Sequence, residues 1–163
     1  MKKLVIINGA PGVGKTTVCK ALNQKIKNSV WLDGDWCWMI NPFQVTEENK
    51  IMVEDNITHL LKNFLGNRSI ETIIFNWVIP HDDLMNSIIG KLPVEGVKII
   101  KISLISSEEV LSQRMMKDGR PKEKIEESIK RLEAYWHMDT IKVDSSALSI
   151  EQTAERINEL IKI

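Results

Sequence analysis

Gly9-Ala10-Pro11-Gly12-Val13-Gly14-Lys15-Thr16 decides the fold. It follows the short apolar run Leu4-Val5-Ile6-Ile7 and precedes a stretch of helical period, 15–27. The octapeptide is a full match to G-x-x-x-x-G-K-S/T, and strand, loop and helix stand in the order that pattern requires. Its glycines let the backbone curl so that successive N–H groups converge on an anion. The helix start adds partial positive charge at the same point. Lys15 is placed to reach β and γ phosphates, and the hydroxyl of Thr16 to ligate Mg²⁺. Residues Gly9 to Thr16, with Thr17 next along the helix, are therefore the expected nucleotide-binding set.

Outward from this loop, strand-length apolar runs (4–7, 30–32, 72–75, 97–105, 140–143) alternate with amphipathic segments (15–27, 46–65, 82–92, 107–116, 121–138, 149–163). In the longest helix, Ile51, Ile57, Leu60, Leu61, Phe64 and Leu65 suggest one buried face. Ser106 with Glu109, and Ser149 with Gln152, read as capping boxes at helix starts. Alternating strands and helices predict an α/β fold, a parallel sheet covered on both faces. Ligands in such sheets sit at the carboxyl ends of the strands.

The rest of the composition narrows the function. The chain has 163 residues and no repeat, low-complexity tract or linker that divides it, so a single domain is expected. Lys plus Arg and Asp plus Glu are 22 each. That balance gives no electrostatic case for a nucleic-acid partner. Cys19 and Cys37 suit neither a disulfide scaffold nor a metal site. No run has the length of a secretory or membrane-spanning segment. A cytoplasmic protein with no membrane partner is expected, and its oligomeric state is left open.

The second apolar run, Val30-Trp31-Leu32, ends in Asp33-Gly34-Asp35. If the strand continued, both carboxylates would project to one side, about 6.5 Å apart along the chain. One would serve the metal, the other would accept a proton from an attacking hydroxyl. An Asp-Gly turn that merely closes a strand is the plain alternative; the phosphate loop upstream favours the functional pair.

Gly9–Thr16 followed by Leu32-Asp33-Gly34-Asp35 resembles the small P-loop kinases: shikimate kinase, gluconate kinase, adenylylsulfate kinase and chloramphenicol phosphotransferase. The resemblance runs through the chain in element order, but only these motifs and the lid are specific. It implies a three-layer α/β/α P-loop NTPase fold with a parallel five-stranded sheet in the order 2-3-1-4-5. It also implies ATP across the loop, Asp35 as the acceptor-activating carboxylate and Asp33 beside the metal. Residues 114–124 look like the family's lid, in which Arg114 would stack on adenine and Arg120 would close over the transferring phosphoryl group. Both are tasks for a planar, permanently charged guanidinium. Residues 144–147 occupy the place of the family's adenine-edge loop. Asn76 departs from the pattern, since many P-loop enzymes carry an aspartate after the third strand.

Residues 36–67 form the expected acceptor region, with Trp36, Trp38 and, from the third strand end, Asn76 and Trp77 as substrate contacts. The five arginines are Arg68, Arg114, Arg120, Arg131 and Arg156, and none falls within that region. Anionic acceptors are commonly held by arginine forks. The expected activity is therefore ATP-dependent, Mg²⁺-assisted phosphoryl transfer to the hydroxyl of a neutral small molecule: a nucleoside, a sugar-like polyol or an antibiotic. The alternatives are a nucleotide-binding switch or accessory NTPase without an acceptor, and a nucleoside monophosphate kinase.

Overall fold

Strand β1 (Lys3–Asn8) is the centre of the molecule, and Leu4, Val5, Ile6 and Ile7 are fully buried. Burying each such side chain contributes roughly 1.5–3 kcal/mol relative to leaving it exposed. A run that is apolar on both faces needs cover on both, and the computed structural model, which describes residues 1–162, supplies it. From β1 the chain forms α1 (Lys15–Lys25), β2 (Ser29–Asp33), a 3-10 turn (Gly34–Trp38), α2 (Glu47–Gly66), β3 (Thr72–Asn76) and α3 (Asp82–Gly90). It continues with β4 (Lys98–Ile105), α4 (Glu108–Lys117), α5 (Lys122–His137), β5 (Ile141–Asp144) and α6 (Ile150–Lys162).

The five strands are parallel in the order β2-β3-β1-β4-β5, as expected. In register, Ile7 pairs Asn76 and Asp33 pairs Asn76 from the other side. The ends of β1, β3 and β2 therefore lie level, and the loops that follow them open on one edge. Among the described residues no helix is long and apolar enough to cross a membrane.

Several local expectations shift. Helix α1 stops at Lys25 rather than 27. On α2 the buried stripe is Val53, Ile57, Leu61 and Leu65, whereas Ile51 is 63% exposed. The four-residue spacing keeps that stripe on one face, and Ile51 falls off it. The capping box at Ser149 forms in full: Ser149 Oγ accepts from the Gln152 N–H at 3.2 Å and Gln152 Oε1 from the Ser149 N–H at 2.8 Å. That expected at Ser106 does not. β4 runs on to Ile105, Ser106 is buried, and Ser107 caps α4 instead by accepting from Val110 N–H at 3.3 Å. The last helix was expected to reach Ile163, which lies outside the described residues.

Candidate active site

The phosphate loop is pinned from three sides. Gly9, at φ +150°, passes so close to β4 that a Cβ there would sit 2.5 Å from the Leu104 carbonyl oxygen. Only glycine fits that approach. From within, the Lys15 ammonium donates to the carbonyls of Gly9 at 2.8 Å and Ala10 at 2.9 Å. From α5, Ser128 Oγ donates to the Pro11 carbonyl at 2.5 Å. Ser128 had no signal in the sequence: its partner is more than a hundred residues away, and a serine on an amphipathic helix reads as surface.

Lys15 is 8% exposed. Its burial pulls the ammonium pKa down to about 8, while Asp35 and Asp33 act to hold the charge. Thr16 Oγ1 donates to Asp33 Oδ2 at 2.7 Å, so loop and second strand are joined directly.

The carboxylate pair is present, but strand alternation does not place it. The chain leaves β2 at Asp33 and turns, so the expected same-side projection from a continuing strand is wrong. Asp33 Oδ1 accepts from the Asp35 N–H at 3.0 Å and caps the 3-10 turn. An aspartate before glycine forms this local bond readily, at the expense of the ladder. Asp33 is 3% exposed, with one oxygen on Thr16 and the other on Asp35. Asp35 is exposed. Partial burial and Asp33 push its carboxyl above the usual carboxylate range, while Lys15 pulls it back.

Hard oxygens from a hydroxyl and a carboxylate suit Mg²⁺, which takes few protein ligands and fills its shell with phosphates and water. Thr16 and Asp33 fit that pattern. Among the described residues no group of three His, Cys, Asp or Glu forms a metal cage, so any such ion would depend on a nucleotide for the rest of its shell.

Beside the loop lies a cavity of about 270 Å³ lined by Gly12, Val13, Thr17, Arg114, Ser145 and Leu148. Arg114, from α4, donates to Val13 O at 3.1 Å, to Ser145 Oγ at 3.0 Å and to Ser145 O at 2.7 Å. Its guanidinium thus forms a fixed wall of the cavity. Ser145 anchors it from the loop after β5. Arg120 is elsewhere: it is exposed between α4 and α5, its backbone N–H on Met115 O, with no side-chain hydrogen bond or ion pair among the described residues.

The aromatic residues divide. Trp36 is half exposed, its ring 4.9 Å from that of Trp31, and Trp38 lies 5.6 Å from Phe43. Trp36 borders an open groove of about 450 Å³ with Met39, Met52 and Leu60. Asn76 is 1% exposed, and its side-chain oxygen accepts from the Trp31 indole at 2.6 Å. That oxygen is committed to the neighbouring strand. Trp77 packs over Gly34: a Cβ on Gly34 would lie 2.5 Å from Trp77 Cγ. His81 caps α3 through Nδ1.

A family model described as an AAA domain matches residues 5–135. A cytidylate kinase from Buchnera aphidicola subsp. Baizongia pistaciae (strain Bp) is 32% identical over 77 residues. The match takes in 47% of this chain and 33% of that relative's length. Among solved structures, a tunicamycin resistance protein from Deinococcus radiodurans is 18% identical with a TM-score of 0.70, over 100% of this chain and 97% of that one. A gluconokinase from Sinorhizobium meliloti 1021 is 18% identical with a TM-score of 0.68, over 98% and 95%. These two share the fold.

Proposed function

The chain belongs to the AAA domain family, and from that premise we propose that it is an ATP-dependent kinase that transfers the γ-phosphoryl group to a hydroxyl of a neutral small molecule. The observation that carries this is the chain of contacts from Thr16 to Asp33 to the Asp35 N–H. It fixes an exposed carboxylate to the phosphate loop, where an acceptor hydroxyl would meet the γ-phosphate. That carboxylate is placed to take the proton of an attacking hydroxyl, and the open groove beside Trp36 leaves room for a molecule that carries one.

In this reading the nucleotide base occupies the cavity walled by Arg114, and its phosphates run along residues 9–16 toward Lys15. Lys15 counters the charge on the β and γ phosphates. Asp35 takes the proton of the acceptor hydroxyl as its oxygen bonds to the γ-phosphorus. The bond from that phosphorus to the β–γ bridging oxygen breaks, and the nucleoside diphosphate departs with the electron pair. Mg²⁺, held through Thr16 and Asp33, would neutralise charge on the phosphates. Arg120 would act only after the loop between α4 and α5 closes, which also excludes water from the transfer.

The acceptor would dock on the Trp36 and Trp38 side. Residues 36–67 hold four acids (Glu47, Glu48, Glu54, Asp55), two lysines and no arginine. One lysine, Lys50, is paired with Glu47 at 2.7 Å. Burying a phosphate or carboxylate there would leave its charge poorly compensated. The local identity with a cytidylate kinase favours a second reading, a nucleoside monophosphate acceptor. ATP consumption measured against nucleosides, nucleoside monophosphates, sugars and antibiotics separates the two. Stimulation by a neutral acceptor supports the proposal, stimulation by monophosphates alone supports the second reading, and steady hydrolysis unaffected by any acceptor supports an NTPase.

A further inference from the structure

A phosphate loop holds an anion only while its N–H groups face inward and its carbonyl oxygens face away. Each carbonyl turned away needs a donor of its own, because a buried acceptor left unpaired is costly. Along this loop the donors come from different places. The Lys15 ammonium serves Gly9 and Ala10, and the Val13 N–H also reaches Ala10 O at 3.3 Å. Pro11 O accepts from Ser128 Oγ at 2.5 Å, and Val13 O accepts from Arg114 at 3.1 Å.

A nucleotide would treat these donors differently. Its β and γ phosphates would draw the Lys15 ammonium off the carbonyls of Gly9 and Ala10. Ser128 is uncharged and has no such rival. It is 1% exposed, on the buried stripe of α5 with Ile125, Leu132 and Tyr135. A serine inside a helix often returns its hydroxyl to the carbonyl four residues back. This one crosses instead to a residue 117 positions away. The next loop residue is held by α4: at Gly12, φ +80°, a Cβ would stand 2.4 Å from Met115 Cγ. Pro11 is thus met by α5, and Gly12 and Val13 by α4, the two helices that flank the loop carrying Arg120.

We propose that Ser128 is a positioning residue for the phosphate loop: its hydroxyl holds the Pro11 carbonyl toward α5. The loop's N–H groups then stay turned to a bound polyphosphate after Lys15 has been drawn away. This rests on the nucleotide-binding part of the reading above and adds to it a residue that acts through the loop backbone. Recognition of the phosphates therefore depends on α5. The cavity assigned to the base is lined without Ser128 and should not feel its loss.

The test reads the loop backbone and the phosphates separately. Pro11-Gly12 is the one proline–glycine pair in the chain, so ¹³C′-proline combined with ¹⁵N-glycine labels a single peptide group. In Ser128→Ala that carbonyl carbon should move upfield, as a carbonyl does on losing a donor. Alanine favours a helix at least as well as serine, so α5 should persist. Affinity for ATP should fall roughly tenfold, the scale of one hydrogen bond. Affinity for adenosine, which has no phosphate and is read by competition with a fluorescent ATP analogue, should hold. An unmoved Pro11 carbonyl overturns the proposal. So does an ATP affinity equal to that of the unaltered protein, or an adenosine affinity that falls as far as that for ATP. An unaltered protein that binds no ATP overturns the nucleotide reading instead, and the Pro11 resonance does not depend on it.

Discussion

The hydroxyl of Thr16 donates to the Asp33 carboxylate at 2.7 Å, so the last residue of the phosphate loop is bonded to the last residue of the second strand. The other Asp33 oxygen holds the N–H of Asp35. Asp33 is thus a buried hub with both oxygens in use, and Asp35 is the accessible member of the pair. The division of roles follows from exposure: a hub positions, while only an open carboxylate can meet a substrate.

Asp33→Asn tests the hub. Asparagine is as good a cap as aspartate, so the 3-10 turn should survive. The charge facing Thr16 is lost, along with about 1.5–3 kcal/mol of charge-assisted hydrogen bonding. The expected outcome is weaker nucleotide binding in the presence of Mg²⁺ and little change in its absence. Calorimetric titrations with ATP, with Mg²⁺ and with a chelator, measure both. Equal losses in the two conditions would remove Asp33 from any metal role.

The pKa of about 8 at Lys15 makes nucleotide affinity depend on pH. A polyanion favours the ammonium form, so the nucleotide complex has the higher pKa. Below pH 8 the free protein is already charged and affinity should be flat. Above it the lysine must take up a proton on binding, and affinity should fall toward tenfold per pH unit. Stability moves the other way. Between pH 8 and the ordinary 10.5 the unfolded chain holds a proton that the folded one has released, so folding stability gains with pH across that window. Titrating a fluorescent ATP analogue from pH 7 to 10 checks the affinity. Lys15→Ala should bind far more weakly and lose this pH dependence; a variant that keeps full affinity would remove Lys15 from phosphate binding.

Asp35→Asn keeps the shape of the side chain and removes the base. Acceptor-dependent turnover should fall by about 10² or more, with ATP affinity retained. Steady-state kinetics alongside a binding titration separate the two quantities. If Asp35→Asn were silent while Asp33→Asn abolished turnover, the roles of the pair would be reversed.

What could be read in advance follows from the range of the contacts involved. Phosphate binding demands fixed residue types in consecutive positions, so Gly9 to Thr16 are visible as a string. The strand order came with the resemblance those residues carry. The Asp33/Asp35 pair was legible as chemistry but not as geometry, because the Asp33 side chain closes a turn that strand periodicity does not anticipate. The start of α4 was displaced by one residue because Ser106 and Ser107 are both competent caps, and the length of β4 decides between them. Asn8 clasps the backbone of Ile79 after β3 and Ser128 bonds Pro11 in the phosphate loop, both partners far along the chain. Nothing in their neighbours distinguishes them from ordinary polar residues. Trp77 was seen as an aromatic near the site, but only its packing on Gly34 shows which way it faces.

The last prediction concerns what the acceptor looks like. Among the described residues, the exposed large apolar side chains include Trp36, Met39, Phe43, Val45, Ile51 and Met52, all within the seventeen positions from 36 to 52. Of these, Trp36, Met39 and Met52 line one open groove, and an exposed apolar patch marks a binding site more often than an accident of composition. Its ionisable neighbours are mainly acids, and Lys50 is already paired with Glu47. An apolar or aromatic acceptor would stack on Trp36, whose other side rests against Trp31, and each aromatic pair adds about 0.5–1.5 kcal/mol beyond area burial. Tryptophan fluorescence in the presence of a non-hydrolysable ATP analogue should therefore respond to hydroxylated aromatic or partly apolar compounds. Trp36→Ala should remove that response and raise the acceptor KM, with kcat and the KM for ATP held. Quenching by nucleoside monophosphates at micromolar concentration, with no response to neutral nucleosides, sugars or antibiotics, would show instead that lysines from the rim close on an anionic acceptor.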